Sequence, residues 1–194
     1  PRVLLRRDDT EAVLGNVGRN YVIVQPQALV KHARHVATRL GMHLSTLGSV
    51  DGGRELWAVA RMHHAVTLLD GTRITPHLLL ATSYGGRMST VAKLLAHNEQ
   101  RGTCFSMRMP SCGRESQLRI PHDYTDADIA AQLAAVSHLD DAVREFVTDA
   151  NTLTEVPVTD TFAREVLKQL LLPPRTFRRM WEAWIAGDER GTHH

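Results

Sequence analysis

The sequence predicts an α+β domain in which an N-terminal helix and an antiparallel β-meander precede three C-terminal helices. Three observations support this prediction. Apolar residues recur at helical spacing between residues 26 and 40, short apolar runs separated by glycine turns follow as far as residue 120, and helical spacing returns after Tyr124. We expect the 194 residues to form a single domain, with a helix and sheet core over residues 1–122 and a helical part over residues 123–194.

The first helix is predicted from Pro26 to Leu40. Proline is favoured in the first turn of a helix, and Gly41 follows where a left-handed residue would end it. One side of this helix is apolar and is expected to be buried, while Lys31, Arg34 and His35 align on the opposite side. The helix is therefore expected to present a basic stripe to solvent.

About six short strands are predicted between residues 44 and 120. The first two, Leu44–Val50 and Arg54–Met62, flank an Asp-Gly-Gly sequence, and Asp-Gly tolerates the positive φ angles of a tight turn. Because tight turns join successive strands, the sheet is expected to be an antiparallel meander. The remaining apolar runs lie at residues 78–82, 89–95, 103–109 and 117–120.

The C-terminal part is predicted to contain one long helix and two shorter ones. Thr125 and Asp128 have the spacing of a capping box, and the apolar period continues from there to Val147. A helix at about residues 161–172 is expected to stop at a Pro-Pro pair, and the last helix is expected to end near Gly187.

Composition indicates a cytoplasmic protein without a membrane span. Two cysteines are too few for a disulfide scaffold, no apolar run is long enough to cross a bilayer, and the N-terminus lacks a signal segment. Because the chain begins at Pro1 and ends on Gly-Thr-His-His, we expect native residues to be missing at both ends.

No cofactor or metal site is predicted. The Gly-Gly-Arg sequences at residues 52–54 and 85–87 lack the lysine and hydroxyl spacing of a phosphate loop, so we expect hairpin turns there. Cys104 and Cys112 lie eight positions apart without a CxxC pair, and the sequence offers no set of three or four convergent metal ligands.

Charge is segregated along the chain, although the formal net charge is only +2. Residues 87–122 hold six Arg or Lys against two Glu, whereas residues 123–160 hold nine acidic residues against Arg144 alone. The basic region favours a nucleic-acid partner. The acidic block is either a solvated surface or a docking surface for a neighbouring subunit or a host protein.

Cys104 and His122 define a competing hypothesis, in which the protein is an enzyme. A thiolate beside an imidazolium is the usual form of a reactive cysteine. Cys104 lies between Thr103 and Phe105 in a predicted strand, however, and such a cysteine is also typical of a small buried side chain. The sequence contains no complete catalytic constellation.

Five stretches carry a family resemblance: Tyr21–Gln25, Gly52–Ala60, Leu78–Gly86, Arg101–Ser106 and Leu118–His122. Together they resemble the uncharacterised phage/plasmid-like protein family, known as domain of unknown function nine hundred and thirty-two. The resemblance covers roughly residues 10–192. The order of helix, meander and long helix is also similar to the core of recombination proteins of the Rad fifty-two type, which anneal complementary single strands as rings.

The resemblance and the basic region lead to one functional hypothesis. We expect a phage- or plasmid-associated homo-oligomer that binds single-stranded nucleic acid, with DNA as the expected form, and that anneals strands. Such binding requires cations spaced to meet phosphates and aromatic faces for bases. The predicted nucleic-acid-binding residues are Lys31, Arg34, His35, Arg101, Arg108, Arg119 and, as a base-stacking ring, Tyr84.

Overall fold

The computed structural model describes residues 2–86, 88–109, 117–134, 136 and 138–186. These residues form nine strands and five helices in an α+β arrangement. In chain order they are β1 Arg2–Arg6, β2 Val13–Gly18, α1 Pro26–Arg39, β3 Met42–Val50, β4 Glu55–Met62, β5 Val66–Thr67, β6 Arg73–Ser83, β7 Thr90–Asn98, β8 Thr103–Ser106, β9 Gln117–Ile120, α2 Asp126–Ala134, α3 Leu139–Thr154, α4 Asp160–Gln169 and α5 Pro174–Ala186.

The larger sheet is an antiparallel meander. Its strands follow the order β3-β4-β6-β7-β8, with β5 paired to β6 and β9 paired to β7. Strands β8 and β9 share the same edge of β7, because β8 pairs with residues 95–98 and β9 pairs with residues 90–93. The predicted antiparallel meander is therefore confirmed, and its register fixes which side chains share a face.

Helix α1 confirms the first predicted helix. Pro26 occupies the first turn, Leu40 caps the C-terminus, and Gly41 has a φ of +62° where the chain leaves the helix. The helix lies across β3, β4 and β6 and buries Leu29 and Val36 against them. Its exposed side chains Lys31, Arg34 and His35 therefore point away from the sheet, whereas His32 is buried.

Helices α1, α2 and α3 pack on one face of the sheet, here called the helix face. Residues of α1, α2 and α3 share one hydrophobic cluster with alternate residues of β4, β6 and β7. The helix face comprises Ala58, Ala60, Leu78, Leu80, Ala92, Leu94 and Ala96.

The N-terminal order differs from the prediction, because a β1–β2 hairpin precedes the helix. Only Leu5 and Val17 of this hairpin are buried, and they pack against Tyr84. The apolar residues of β1 run consecutively instead of alternating, and Gly15 interrupts β2, so the sequence lacks a period-two signal there. The described strands number nine where about six were expected.

The predicted long helix is also wrong, because it is divided into α2 and α3. The first part confirms the capping box: the Thr125 N–H and hydroxyl donate to the Asp128 carboxylate at 2.9 and 2.6 Å. Between the helices Leu133, Val136 and Leu139 are all buried at a spacing of three. A continuous helix would bury the same set, so the apolar period did not reveal the break.

The last two helices pair with each other as a hairpin. The Thr159 hydroxyl caps α4 by accepting from the Phe162 N–H at 3.2 Å, and the Trp184 indole N–H donates to Asp160 at 2.9 Å. A groove of about 720 Å³ runs between them, lined mainly by apolar side chains that include Phe162 and Met180. Among the described residues, no helix has the length and apolar character needed to cross a membrane.

Candidate nucleic-acid interface

The second face of the sheet, here called the open face, has an apolar centre. Cross-strand pairing places Val59 beside Leu79, and Leu79 beside Lys93. These three residues are partly exposed. Within the described part of the chain, Trp57, Val59, Leu79 and Leu95 belong to neither hydrophobic cluster. No described helix therefore covers this part of the sheet.

Trp57 provides the aromatic surface of the open face. It lies opposite Gly48 on the edge strand β3, and a Cβ at position 48 would overlap the Cζ2 and Cε2 atoms of its indole. The indole therefore lies over the glycine backbone. Trp57 as a residue is partly exposed.

Arg61, Lys93 and Arg119 lie on the same face as the indole, with Arg73 at one end of this face on β6. Arg61 is opposite His77, Lys93 is opposite Leu79, and Arg119 is opposite Val91. Standard sheet spacings put the Cα atom of Lys93 roughly 8 Å from that of Arg119 and roughly 12 Å from that of Arg61. Arg61 is in an ion pair with Glu99 at 3.5 Å. Among the described residues, neither Lys93 nor Arg119 has a carboxylate partner.

The predicted helical stripe lies on the other side of the molecule. Lys31, Arg34 and His35 are exposed on α1, and α1 packs on the helix face. The cations of α1 and Arg119 therefore face opposite directions. The structure does not bring the two predicted basic stripes into one groove.

The two remaining predicted arginines occupy separate positions. Arg101 is exposed in the turn between β7 and β8, where its backbone N–H donates to Asn98 Oδ1 at 3.0 Å. Arg108 is exposed and donates to Glu145 of α3 at 2.8 Å, so it sits beside the helical layer. Of the predicted arginines, Arg119 is the one that the register places on the open face.

A protein-family model described as Domain of unknown function (DUF932) matches residues 13–185. This span includes the open face, helices α1 to α4 and all but the last residue of α5. The chain belongs to this family. A search of curated proteins and of solved structures found no match. The DUF932 description names no activity, so a function has to be argued from the surface itself.

Tyr84 does not offer its ring to a ligand in this DUF932 chain. The side chain is 4% exposed and packs with Leu5 and Val17. Its hydroxyl donates to the Val24 carbonyl at 2.7 Å, and burial raises the pKa of the phenol to about 12. Tyr84 therefore joins the N-terminal hairpin to the sheet, and the open face instead carries the partly exposed Trp57.

The DUF932 fold separates Cys104 from His122. Cys104 is an exposed free thiol opposite His97, whereas Ile120, two residues before His122, is opposite Thr90. His97 and Thr90 are seven residues apart on β7, which is roughly 23 Å. The dyad of the competing enzyme hypothesis is not assembled.

His122 has a different environment from the one that catalysis by Cys104 requires. Its ring stacks on Tyr21 with centroids 4.4 Å apart, and its Nε2 lies 3.1 Å from the Met88 carbonyl. Its Nδ1 is buried without a hydrogen bond. The ring therefore packs at the junction of β9 with the segment that leads into α1.

The described residues contain no group of three or more His, Cys, Asp or Glu side chains arranged to hold a metal ion. His32, which shares a helical turn with His35, is buried, whereas His35 is exposed. Cys112 lies outside the described residues, and so do Arg87 and Arg114 of the basic region.

The sequence hypothesis missed Trp57, Arg61 and Lys93 as members of one surface. A signal was present, because alternate residues of a strand share a face and the Asp-Gly turn sets the register of β3 and β4. The turn alone does not show which face the helices cover. That choice depends on contacts made far apart in the sequence.

Proposed function

We propose that this chain binds single-stranded nucleic acid on the open face of its sheet. The observation that supports the proposal most directly is the register, which groups Lys93 and Arg119 with the partly exposed Trp57. Neither cation is neutralised by a carboxylate of the described residues. The proposal therefore moves the binding surface from the α1 stripe to the sheet.

The chemistry of the open face suits a single strand better than a duplex. Cations attract the phosphates and release their counterions, while aromatic and apolar side chains contact the faces of the bases. A duplex hides those faces in its own stack, so it would gain only the contacts to phosphate. We infer a preference for single strands with little dependence on base sequence.

Strand annealing and homo-oligomer formation are further parts of this proposal, and they come from the resemblance to Rad fifty-two type proteins. DNA is the form proposed, in a phage or plasmid recombination or replication context. A strand-pairing assay with complementary oligonucleotides tests annealing. Light scattering across a range of protein concentrations tests the oligomer.

The first experiment is a titration of nuclease-treated protein with labelled single-stranded and double-stranded oligonucleotides across a salt series. Four cations and the Glu99 carboxylate leave three net positive charges on the open face, which predict that log affinity for a single strand falls with log salt at a slope of about −2. Tighter binding to the single strand supports the proposal. Absence of binding at low salt, or equal binding of the duplex, contradicts it.

Tryptophan fluorescence gives a second measurement on the same surface. In a Trp181→Phe/Trp184→Phe variant, Trp57 is the remaining tryptophan. Stacking of a base on its indole is expected to quench its emission in proportion to the bound fraction. Binding without quenching would place the strand elsewhere on the protein.

A further inference from the structure

Two histidines are stacked at one end of the open face. The rings of His77 on β6 and His97 on β7 have centroids 5.1 Å apart and planes 9° apart. Arg61 lies directly opposite His77 on β4. The stacked pair therefore extends the row of cationic side chains formed by Arg61, Lys93 and Arg119.

A carboxylate already occupies part of this end. The Glu99 carboxylate accepts a hydrogen bond from the Thr75 hydroxyl at 2.6 Å. Its oxygens also lie 3.5 Å from a guanidinium nitrogen of Arg61 and 3.3 Å from one of Arg73. The Thr75 hydrogen bond and then the two arginines hold the pKa of Glu99 below its usual range. Two arginines and a hydroxyl thus already bind one anion beside the histidine pair.

The imidazoles are positioned to change the charge of this end with pH. Burial, followed by His97 and Arg61, holds the pKa of His77 below its ordinary value, so this ring is neutral at neutral pH. A phosphate beside the pair would favour the protonated form. The charged or titratable groups that face the pair are His43 on β3, Arg61 on β4, Arg73 on β6, Glu99 after β7 and Cys104 on β8.

We propose that His77 and His97, together with Arg61, form a proton-linked subsite for a phosphate of the bound strand. This inference rests on the proposed function and adds a pH dependence to it. A phosphate bound beside the stacked rings would favour one added proton on His77, and Glu99 competes with the phosphate for Arg61. Affinity for a single strand should therefore rise as the pH falls.

The test compares oligonucleotide affinity and its salt dependence at about pH 8 and about pH 5.5, on either side of the ordinary histidine pKa of about 6.5. One added cation predicts a salt slope steeper by about 0.7 at the lower pH, with tighter binding of the single strand. A His77→Gln/His97→Gln variant is expected to lose most of this change. Circular dichroism checks that the variant is folded.

His35→Gln is the matched control, because His35 is exposed on α1 and faces away from the open face. It is expected to keep the full pH dependence. Glu99→Gln is expected to bind more tightly than the wild type at both pH values, since it removes the competing carboxylate.

The outcomes separate this subsite from the function on which it rests. Binding whose pH dependence is the same in wild type and His77→Gln/His97→Gln overturns the subsite and leaves the proposed function intact. Absence of binding at both pH values overturns both. Inorganic phosphate serves as a further probe: if it shifts the NMR signals of His77 and His97 at concentrations as low as the oligonucleotide does, assignment to a strand is contradicted.

Discussion

The indole of Trp57 lies over Gly48, its cross-strand neighbour on the edge of the sheet. No other residue type fits at position 48 without moving the ring, because a Cβ there would overlap the Cζ2 and Cε2 atoms. The glycine thus holds the one partly exposed tryptophan of the sheet flat against the open face. This contact links local backbone space to the aromatic part of the proposed binding surface.

Gly48→Ala is expected to displace the indole, destabilise the fold by about 1–3 kcal/mol and weaken oligonucleotide binding. Urea unfolding measures the loss of stability, and the quenching of Trp57 emission measures the loss of oligonucleotide binding. Gly18→Ala is the control, because a Cβ at Gly18 meets nothing within 4 Å. Its stability should stay within about 0.5 kcal/mol of wild type. Equal effects of the two substitutions would show that Trp57 does not depend on the space above Gly48.

Tyr84→Phe is expected to lower stability without changing nucleic-acid affinity. The substitution removes the donor to the Val24 carbonyl, which leaves a buried acceptor unpaired at a cost of about 1–2 kcal/mol. Tyr124→Phe is the control, since the Tyr124 hydroxyl makes no hydrogen bond within the described part of the chain. Unchanged stability of Tyr84→Phe would mean that the hydrogen bond to the Val24 carbonyl does not stabilise the fold.

Alkaline pH is expected to destabilise the protein through Tyr21 and Tyr84. Burial raises the pKa of each phenol to about 12, whereas an unfolded tyrosine has a pKa of about 10. The folded state therefore holds these protons more tightly. Their contribution to stability is complete below about pH 10 and is lost as the pH rises towards about 12.

Urea unfolding of wild type and of Tyr84→Phe across this pH range measures the effect, because the variant lacks the Tyr84 phenol and also loses the part of the Tyr21 pKa shift that Tyr84 causes. The variant is expected to lose less stability than wild type between about pH 10 and about pH 12. Parallel curves for the two proteins would mean that Tyr84 titrates as an exposed phenol does.

Local signals in the sequence predicted several elements of the fold. Pro26 and Gly41 bound α1, and Asp51 with its following glycines forms the turn between β3 and β4. The Thr125–Asp128 capping box begins α2. Each of these depends on residues within a few positions of one another, so the physical cause is contained in the local sequence.

Features that depend on distant contacts were not predicted. The β1–β2 hairpin packs through Gly15, where a Cβ would collide with the backbone of Tyr84 and Gly85. Neither strand alone shows the alternation of a half-buried strand. The position of α1 on one face likewise decides that Lys31 and Lys93 lie on opposite sides of the molecule.

The proposed site for nucleic acid is the open face and not the outer side of α1. The most direct test measures single-strand affinity across a salt series for Lys93→Gln/Arg119→Gln and for Lys31→Gln/Arg34→Gln. Each variant removes two exposed or partly exposed cations, from opposite sides of the molecule. Arg108→Gln, which breaks an ion pair to Glu145, is a further control and should bind as wild type does.

Lys93→Gln/Arg119→Gln is expected to bind on the order of tenfold more weakly and to have a salt slope less steep by about 1.4. Lys31→Gln/Arg34→Gln should match wild type in both quantities. If Lys31→Gln/Arg34→Gln loses binding and Lys93→Gln/Arg119→Gln keeps the affinity of wild type, the binding site lies on α1 and not on the open face.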